Sequence, residues 1–145
     1  MDMEKIYKFL SENLDKERFE HTLNVAKLSA RLAKIHGESV EKARLAGLLH
    51  DCSKNKDYKR QIDFFKDRKQ FKGFSDLAKY APFALHSFSS AIIAEEVFLI
   101  KDKEILDAIK NHTFASVKMT ALSKILFVSD SSSLDRKGKQ APLIR

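Results

Sequence analysis

Cysteine, proline and glycine are scarce in this chain, and each scarcity excludes something. One cysteine, Cys52, among 145 residues cannot form an internal disulfide or a cysteine-rich zinc site, so a reducing, cytoplasmic setting is expected. Glycine and proline together number 6, and valine plus threonine only 8, too few for a turn-rich β-sandwich. The longest apolar runs, such as Ile125-Leu126-Phe127-Val128, fall far short of the ~20 residues a membrane-spanning helix needs. The opening Met1-Asp2-Met3-Glu4-Lys5 lacks the basic-then-apolar pattern of a secretory signal. What remains is a helical, non-membrane protein with one domain over residues 1–130 and a loop or tail over 131–145.

Charge is plentiful and unbalanced. Lysine and arginine number 27 against 20 acidic residues, a net +7 that invites a polyanion such as nucleic acid, a phosphate-rich small molecule or an acidic surface. Nine of the basic residues lie between Lys54 and Lys79, interleaved with Tyr58, Phe64, Phe65, Phe71 and Phe74. That mixture superficially resembles a basic, aromatic nucleic-acid surface. The simpler reading is a solvated helical face whose phenylalanines turn to the core.

Helix signals recur along the chain. A first helix is expected from Glu4 to about Leu14, and a second from a cap at Asp15 to Ile35, stopped by Gly37. The apolar stripe of the second, Val25, Leu28, Leu32 and Ile35, leads back to His21. Ser39 caps a third helix whose buried face takes in Val40, Ala43 and Gly47 and leads to His50. A fourth, from about Leu85 to Phe98, sets His86 in line with Ser90 and Ile93. Asp102 caps a helix whose face of Ile105, Ala108 and Ile109 includes His112, and Thr120 caps one that leads through Leu122 and Leu126 to Asp130. The fold class is therefore an all-α bundle.

Six side chains stand out. His21, His50, Asp51, His86, His112 and Asp130 fall at the inner edges of five expected helices. A single histidine on an apolar face is ordinarily a hydrogen-bonded core residue. Four of five behaving alike is another matter, because burying imidazoles and carboxylates costs several kcal/mol each unless something satisfies them. One or two cations would do so, and imidazole with carboxylate suits Fe, Mn, Zn, Co or Ni. The fifth histidine, His36, sits at a helix end beside Gly37 and reads as structural. Within the pair His50-Asp51, neighbouring helical side chains diverge by about 100°, so both reach one ion only at the helix's inner edge. A carboxylate there can bridge two ions.

The setting Gly47-Leu48-Leu49-His50-Asp51-Cys52-Ser53-Lys54, with His21 before it and Asp130 far after it, resembles the metal signature of the HD-domain phosphohydrolase superfamily. Arg18-Phe19-Glu20-His21, Ala84-Leu85-His86, Asn111-His112-Thr113 and Ser129-Asp130 are similar to its bacterial symmetrical bis(5'-nucleosyl)-tetraphosphatase branch, over about Arg18 to Arg136. The resemblance implies an HD-domain helical bundle with two divalent or mixed-valence metal ions. His21, His50, Asp51 and Asp130 would hold one, and Asp51 would bridge to a second held by His86 and His112. Iron is the metal implied, with Mn, Co, Ni or Zn as substitutes. The implied reaction splits a dinucleoside tetraphosphate at its centre into two nucleoside diphosphates, with Asp51 as a catalytic residue and the retained Arg136 as a phosphate contact. By position, Lys54, one turn beyond Asp51, is a further catalytic and phosphate-binding candidate and Arg18, one turn before His21, a phosphate-binding one, each with the alternative reading of an ordinary surface cation.

The chain also departs from that branch. Phe114-Ala115-Ser116 follows the histidine-threonine pair where the relatives carry threonine, glycine and arginine. Ser131-Ser132-Ser133-Leu134-Asp135-Arg136 replaces their glutamate and proline but keeps the arginine. These departures motivate an alternative, a catalytically weakened HD domain that binds metal and nucleotide as a sensor or partner module. A guanosine polyphosphate is an alternative substrate, and a nucleic-acid-binding domain ranks last for want of a recognised motif. The relatives continue into further helices, and an apolar face so exposed would be covered in a homodimer. Cys52 reads as a packing residue and Ser131–Ser133 as a flexible linker or as hydroxyls that bind phosphate, and Tyr58 and Tyr80 carry rings able to stack on an adenine, though nothing in their spacing marks them for it.

Overall fold

A computed structural model describes residues 2–54, 57–68 and 71–133. Among them are eight α-helices and no strand: α1 (Met3–Asn13), α2 (Lys16–His36), α3 (Val40–Leu49), α4 (Tyr58–Asp63), α5 (Phe74–Tyr80), α6 (Leu85–Glu96), α7 (Lys103–Asn111) and α8 (Ala121–Ser132), with a 3₁₀ turn at Pro82–Ala84 before α6. The caps explain the helix starts. Asp15, Ser39, Asp102 and Thr120 each accept a backbone N–H from the first turn that follows, satisfying a donor the helix cannot. Gly37 ends α2 at φ 72°, a left-handed conformation that glycine adopts without a Cβ penalty.

Two apolar clusters hold the helices. The larger joins Ile6 and Leu10 of α1 to Val25 and Ala26 of α2, Leu48 and Leu49 of α3, Ile105 and Ile109 of α7, and Leu122 and Leu126 of α8. The smaller joins Phe65, Phe74 and Leu85, with Phe71 stacked on Phe88 at 3.9 Å. The phenylalanines of the basic segment thus turn inward, as the simpler reading holds. That segment forms two short helices, α4 and α5, rather than one. Helix α6 spans both clusters, with Leu85 in the smaller and Ala91 and Ala94 in the larger, so His86 lies at their seam.

Three sequence expectations need correction. Ile35 is 64% exposed, and the buried stripe of α2 runs instead through His21, Thr22, Val25, Ala26, Ser29 and Ala33. Small residues face α3 because a Cβ on Gly47 would lie 2.6 Å from the Cα of Ala26. Val40, the first residue of α3, is exposed rather than buried, because the helix enters the bundle only beyond its first turn. Ser131 and Ser132 are helical rather than loop, and their hydroxyls donate to the Phe127 and Val128 carbonyls of the preceding turn. The remainder of the expected tail, from residue 134, and with it Arg136, lies outside the described residues.

Candidate metal centre

Five helices deliver the six singled-out side chains to one place. His21 lies in the second turn of α2, while His50 and His112 are the residues that close α3 and α7. Asp51 follows in the turn after α3, tightened by a bond from the Lys54 N–H to the Asp51 carbonyl at 2.9 Å. His86 is in the first turn of α6 and Asp130 near the end of α8. His21, His50, Asp51, His86 and His112 are all buried.

Three histidines are held alike. His50 Nδ1 donates to the Gly47 carbonyl at 2.7 Å, His112 Nδ1 to that of Ile109 at 2.6 Å, and His86 Nδ1 to that of Phe83. A carbonyl only accepts, so each Nδ1 carries the proton and each Nε2 presents a lone pair to the centre. This is the backbone support by which proteins orient imidazole ligands. His21 reverses the pattern of partners, with Nε2 2.9 Å from Asp130 Oδ1 and Nδ1 3.3 Å from Ser133 Oγ.

The centre is built around the fully buried Asp51 carboxylate. Oδ1 faces His86 Nε2 at 3.0 Å and His112 Nε2 at 3.4 Å. Oδ2 faces His50 Nε2 at 3.5 Å, Arg18 Nη1 at 2.9 Å and Lys54 Nζ at 3.4 Å. His50 Nε2 also lies 3.8 Å from Asp130 Oδ1, which joins the two halves. Burial opposes the charge on Asp51, yet in acid, where His50 and His86 take up protons, they and Lys54 hold its carboxyl well below the usual range. Burial likewise opposes the charge on Asp130, and the His21 hydrogen bond outweighs it. Burial lowers His50 to about 4 and lowers His86 as well, so both imidazoles are neutral at pH 7, the form that binds metal.

The donor set fits a cation on this geometry. His86 Nε2 and His112 Nε2 lie 3.0 Å apart, two lone pairs face to face with no proton between them. The Thr113 hydroxyl, 3.4 Å from the first and 3.3 Å from the second, can donate to one alone. His50 Nε2 and Asp51 Oδ1 are buried with no hydrogen-bond partner among the described residues. A cation would turn each of these costs into a bond. His21, His50 and Asp130 form one group of ligand atoms lying within 4.8 Å of one another, and His50, Asp51 and His112 another. The structure thus brings together all six residues singled out in the sequence, with Arg18 and Lys54 beside them.

Two residues of the centre were not singled out as site residues in the sequence. Thr113 appeared there only within the motif Asn111-His112-Thr113, and its adjacency to His112 was its signal. Gln61 carried none: it is buried, its Nε2 donates to the Ser53 carbonyl, and its Oε1 accepts from Ser89 Oγ at 2.8 Å. Ser53 Oγ in turn donates to the His86 carbonyl at 3.0 Å, so the turn carrying Asp51 is tied to α6. Cys52 is what its position suggested, a packing residue, its thiol pushed up to about 12 by burial. A cavity of about 400 Å³ opens on the centre and is lined by Arg18, Lys54 and His86. No helix among the described residues is long and apolar enough to cross a membrane.

Known proteins place this arrangement. The chain is 35% identical over 130 residues to a symmetrical bis(5'-nucleosyl)-tetraphosphatase of Staphylococcus aureus, covering 90% of this chain and 66% of that protein. It is 29% identical over 130 residues to one of the same name from Halalkalibacterium halodurans, covering 90% and 68%. The chain thus spans about two thirds of the length of these curated relatives. A crystal structure from Clostridium acetobutylicum, described as an HD superfamily hydrolase involved in NAD metabolism, superposes with a TM-score of 0.90 at 33% identity, covering 99% of this chain and 75% of that one. The HD domain model matches residues 18–135, a span that contains all six ligand candidates, and the chain belongs to the HD domain family.

Proposed function

We propose that the protein is a metal-dependent phosphohydrolase that cleaves a dinucleoside tetraphosphate, diadenosine tetraphosphate foremost, into two nucleoside diphosphates. In this reading His21, His50, Asp51 and Asp130 hold one metal ion, and Asp51, His86 and His112 hold a second. Iron is the metal of choice, and Mn, Co, Ni or Zn share the preference for imidazole and carboxylate. Bound there, such ions would supply a hydroxide at neutral pH and neutralise charge on the attacked phosphate.

The carrying observation is the Asp51 carboxylate. One oxygen faces two imidazoles and the other faces His50, an arrangement suited to sharing between two cations and wasteful for one. Around it the chain's own groups bind and orient. Arg18 and Lys54 are the cations nearest that carboxylate and line the cavity, where they balance a polyphosphate's charge. The Nδ1 bonds of His50, His86 and His112 keep the imidazoles aimed inward, so little reorganisation accompanies binding. Water adds to one of the two inner phosphorus atoms, and the central bridging oxygen leaves with the other phosphate. The chemistry of the names borne by the relatives supports the same substrate class.

Product analysis tests this directly. Metal-loaded protein given diadenosine tetraphosphate is expected to release ADP alone. ATP with AMP would refute the symmetric cut. Tight nucleotide binding without product under any of these metals would instead favour the sensor reading.

A further inference from the structure

The cavity beside the metal centre carries features that phosphate chemistry does not use. Tyr58, the first residue of α4, and Phe83, in the 3₁₀ turn before α6, line the same cavity as Arg18, Lys54 and His86. Both aromatic side chains are about half exposed, Tyr58 at 48% and Phe83 at 47%. Phe114, equally exposed at 48%, backs Phe83 with ring centroids 5.9 Å apart. Tyr80, the other tyrosine able to stack on a base, does not line the cavity and lies under the Lys79 ammonium instead.

We propose that Tyr58 and Phe83, the latter backed by Phe114, form a nucleobase-binding site that holds a base of the substrate by stacking while its phosphates extend to Arg18, Lys54 and the metal centre. The inference rests on the phosphohydrolase reading for its substrate class and on the cavity for its geometry. The cavity's volume lies in the range of small-molecule sites. Its lining combines the cations Arg18 and Lys54 with the rings of Tyr58 and Phe83, which suits a ligand that is anionic at one end and flat and apolar at the other. Phe83 is fixed by the centre itself, because its carbonyl accepts the His86 Nδ1 proton. The backbone that carries the Phe83 ring is thereby tied to a candidate metal ligand. Asp15 and Glu17 also line the cavity, and their carboxylates repel phosphate and suit ribose hydroxyls or the base's amino group.

Binding of ADP and of pyrophosphate to the metal-loaded protein, measured by calorimetry, tests the site. Stacking on an aromatic side chain is lost on truncation with an effect of roughly 5- to 100-fold. Tyr58→Ala and Phe83→Ala are each expected to weaken ADP binding by about 10-fold and leave pyrophosphate binding within 2-fold of wild type. Tyr58→Phe and Phe83→Tyr should restore ADP affinity. For Tyr58→Ala, the KM for diadenosine tetraphosphate should rise with kcat little changed. Unaltered ADP affinity in both alanine variants, or equal weakening of ADP and pyrophosphate, overturns the proposal. If the wild type turns over no dinucleotide yet ADP binding still depends on the two rings, the base site stands and the hydrolase reading falls.

Discussion

His50 shows how a single residue ties stability to the site. It is fully buried, and burial lowers it to about 4. An unfolded chain protonates this imidazole below about pH 6.5, whereas the folded chain refuses the proton until about pH 4. The unfolded state therefore binds more protons across that window, and stability falls as pH is lowered through it, by about 3 kcal/mol for His50 alone. His86 is shifted the same way by burial and adds to the loss. Asp51 and Asp130 act in a second window, because their depressed carboxyls contribute stability that disappears only below the ordinary carboxylate range. Metal-free protein is accordingly expected to lose thermal stability steadily from about pH 6.5 to pH 4, as followed by circular dichroism melts in a chelating buffer. A melting temperature that stays level or rises from pH 7 to pH 4.5 would contradict the burial of neutral imidazoles.

At the scale of the helix, end signals were legible and faces less so. Asp15, Ser39, Asp102 and Thr120 were readable as caps because short polar side chains are placed by their own local hydrogen bond. Gly37 was readable as a stop for the same local reason. The buried face of α2 was not, since apolarity pointed to Leu28, Leu32 and Ile35 while the helix buries Ala26, Ser29 and Ala33. What decides that face is the approach of α3, a property of two helices together. Gly47 marks it, because an added Cβ would meet Ala26 backbone at 2.6 and 3.0 Å. In an open helix, Gly→Ala stabilises by roughly 0.5–1 kcal/mol. Here Gly47→Ala is expected to destabilise by about 1–3 kcal/mol instead, as overpacking drives α2 from α3. Gly47 also supplies the carbonyl that orients His50, and Ala26 lies just over a turn beyond His21. Metal content measured on the purified variant should therefore fall with its melting temperature. A more stable variant with full metal content would show that the close approach is not required.

Across the whole molecule, six side chains spread over 110 positions converge from five helices, and that convergence was legible only through residue type. Imidazoles and carboxylates at inner helix edges had to share something, and the HD pattern indicated what. Distances and tautomers were not legible: the Nδ1 bonds to Gly47, Phe83 and Ile109 depend on helix ends whose backbone no composition reveals. The same convergence makes metal a structural element as well as a chemical one. Without a cation, His86 Nε2 and His112 Nε2 oppose each other at 3.0 Å, and the unpartnered His50 Nε2 and Asp51 Oδ1 stay desolvated. A metal that binds only the folded state adds about 2.7 kcal/mol at a free concentration of 100 times its Kd. In a domain of this size that corresponds to a shift of roughly 5–15 °C in melting temperature. Chelation should lower the melting temperature by that order, and titrating divalent metal back should restore it in proportion to the logarithm of concentration. The dependence is expected to vanish in Asp51→Asn, which removes the shared carboxylate charge. It should persist in His36→Ala, whose side chain is exposed at the end of α2. A melting temperature indifferent to metal in the wild type would mean that the five helices meet for packing alone.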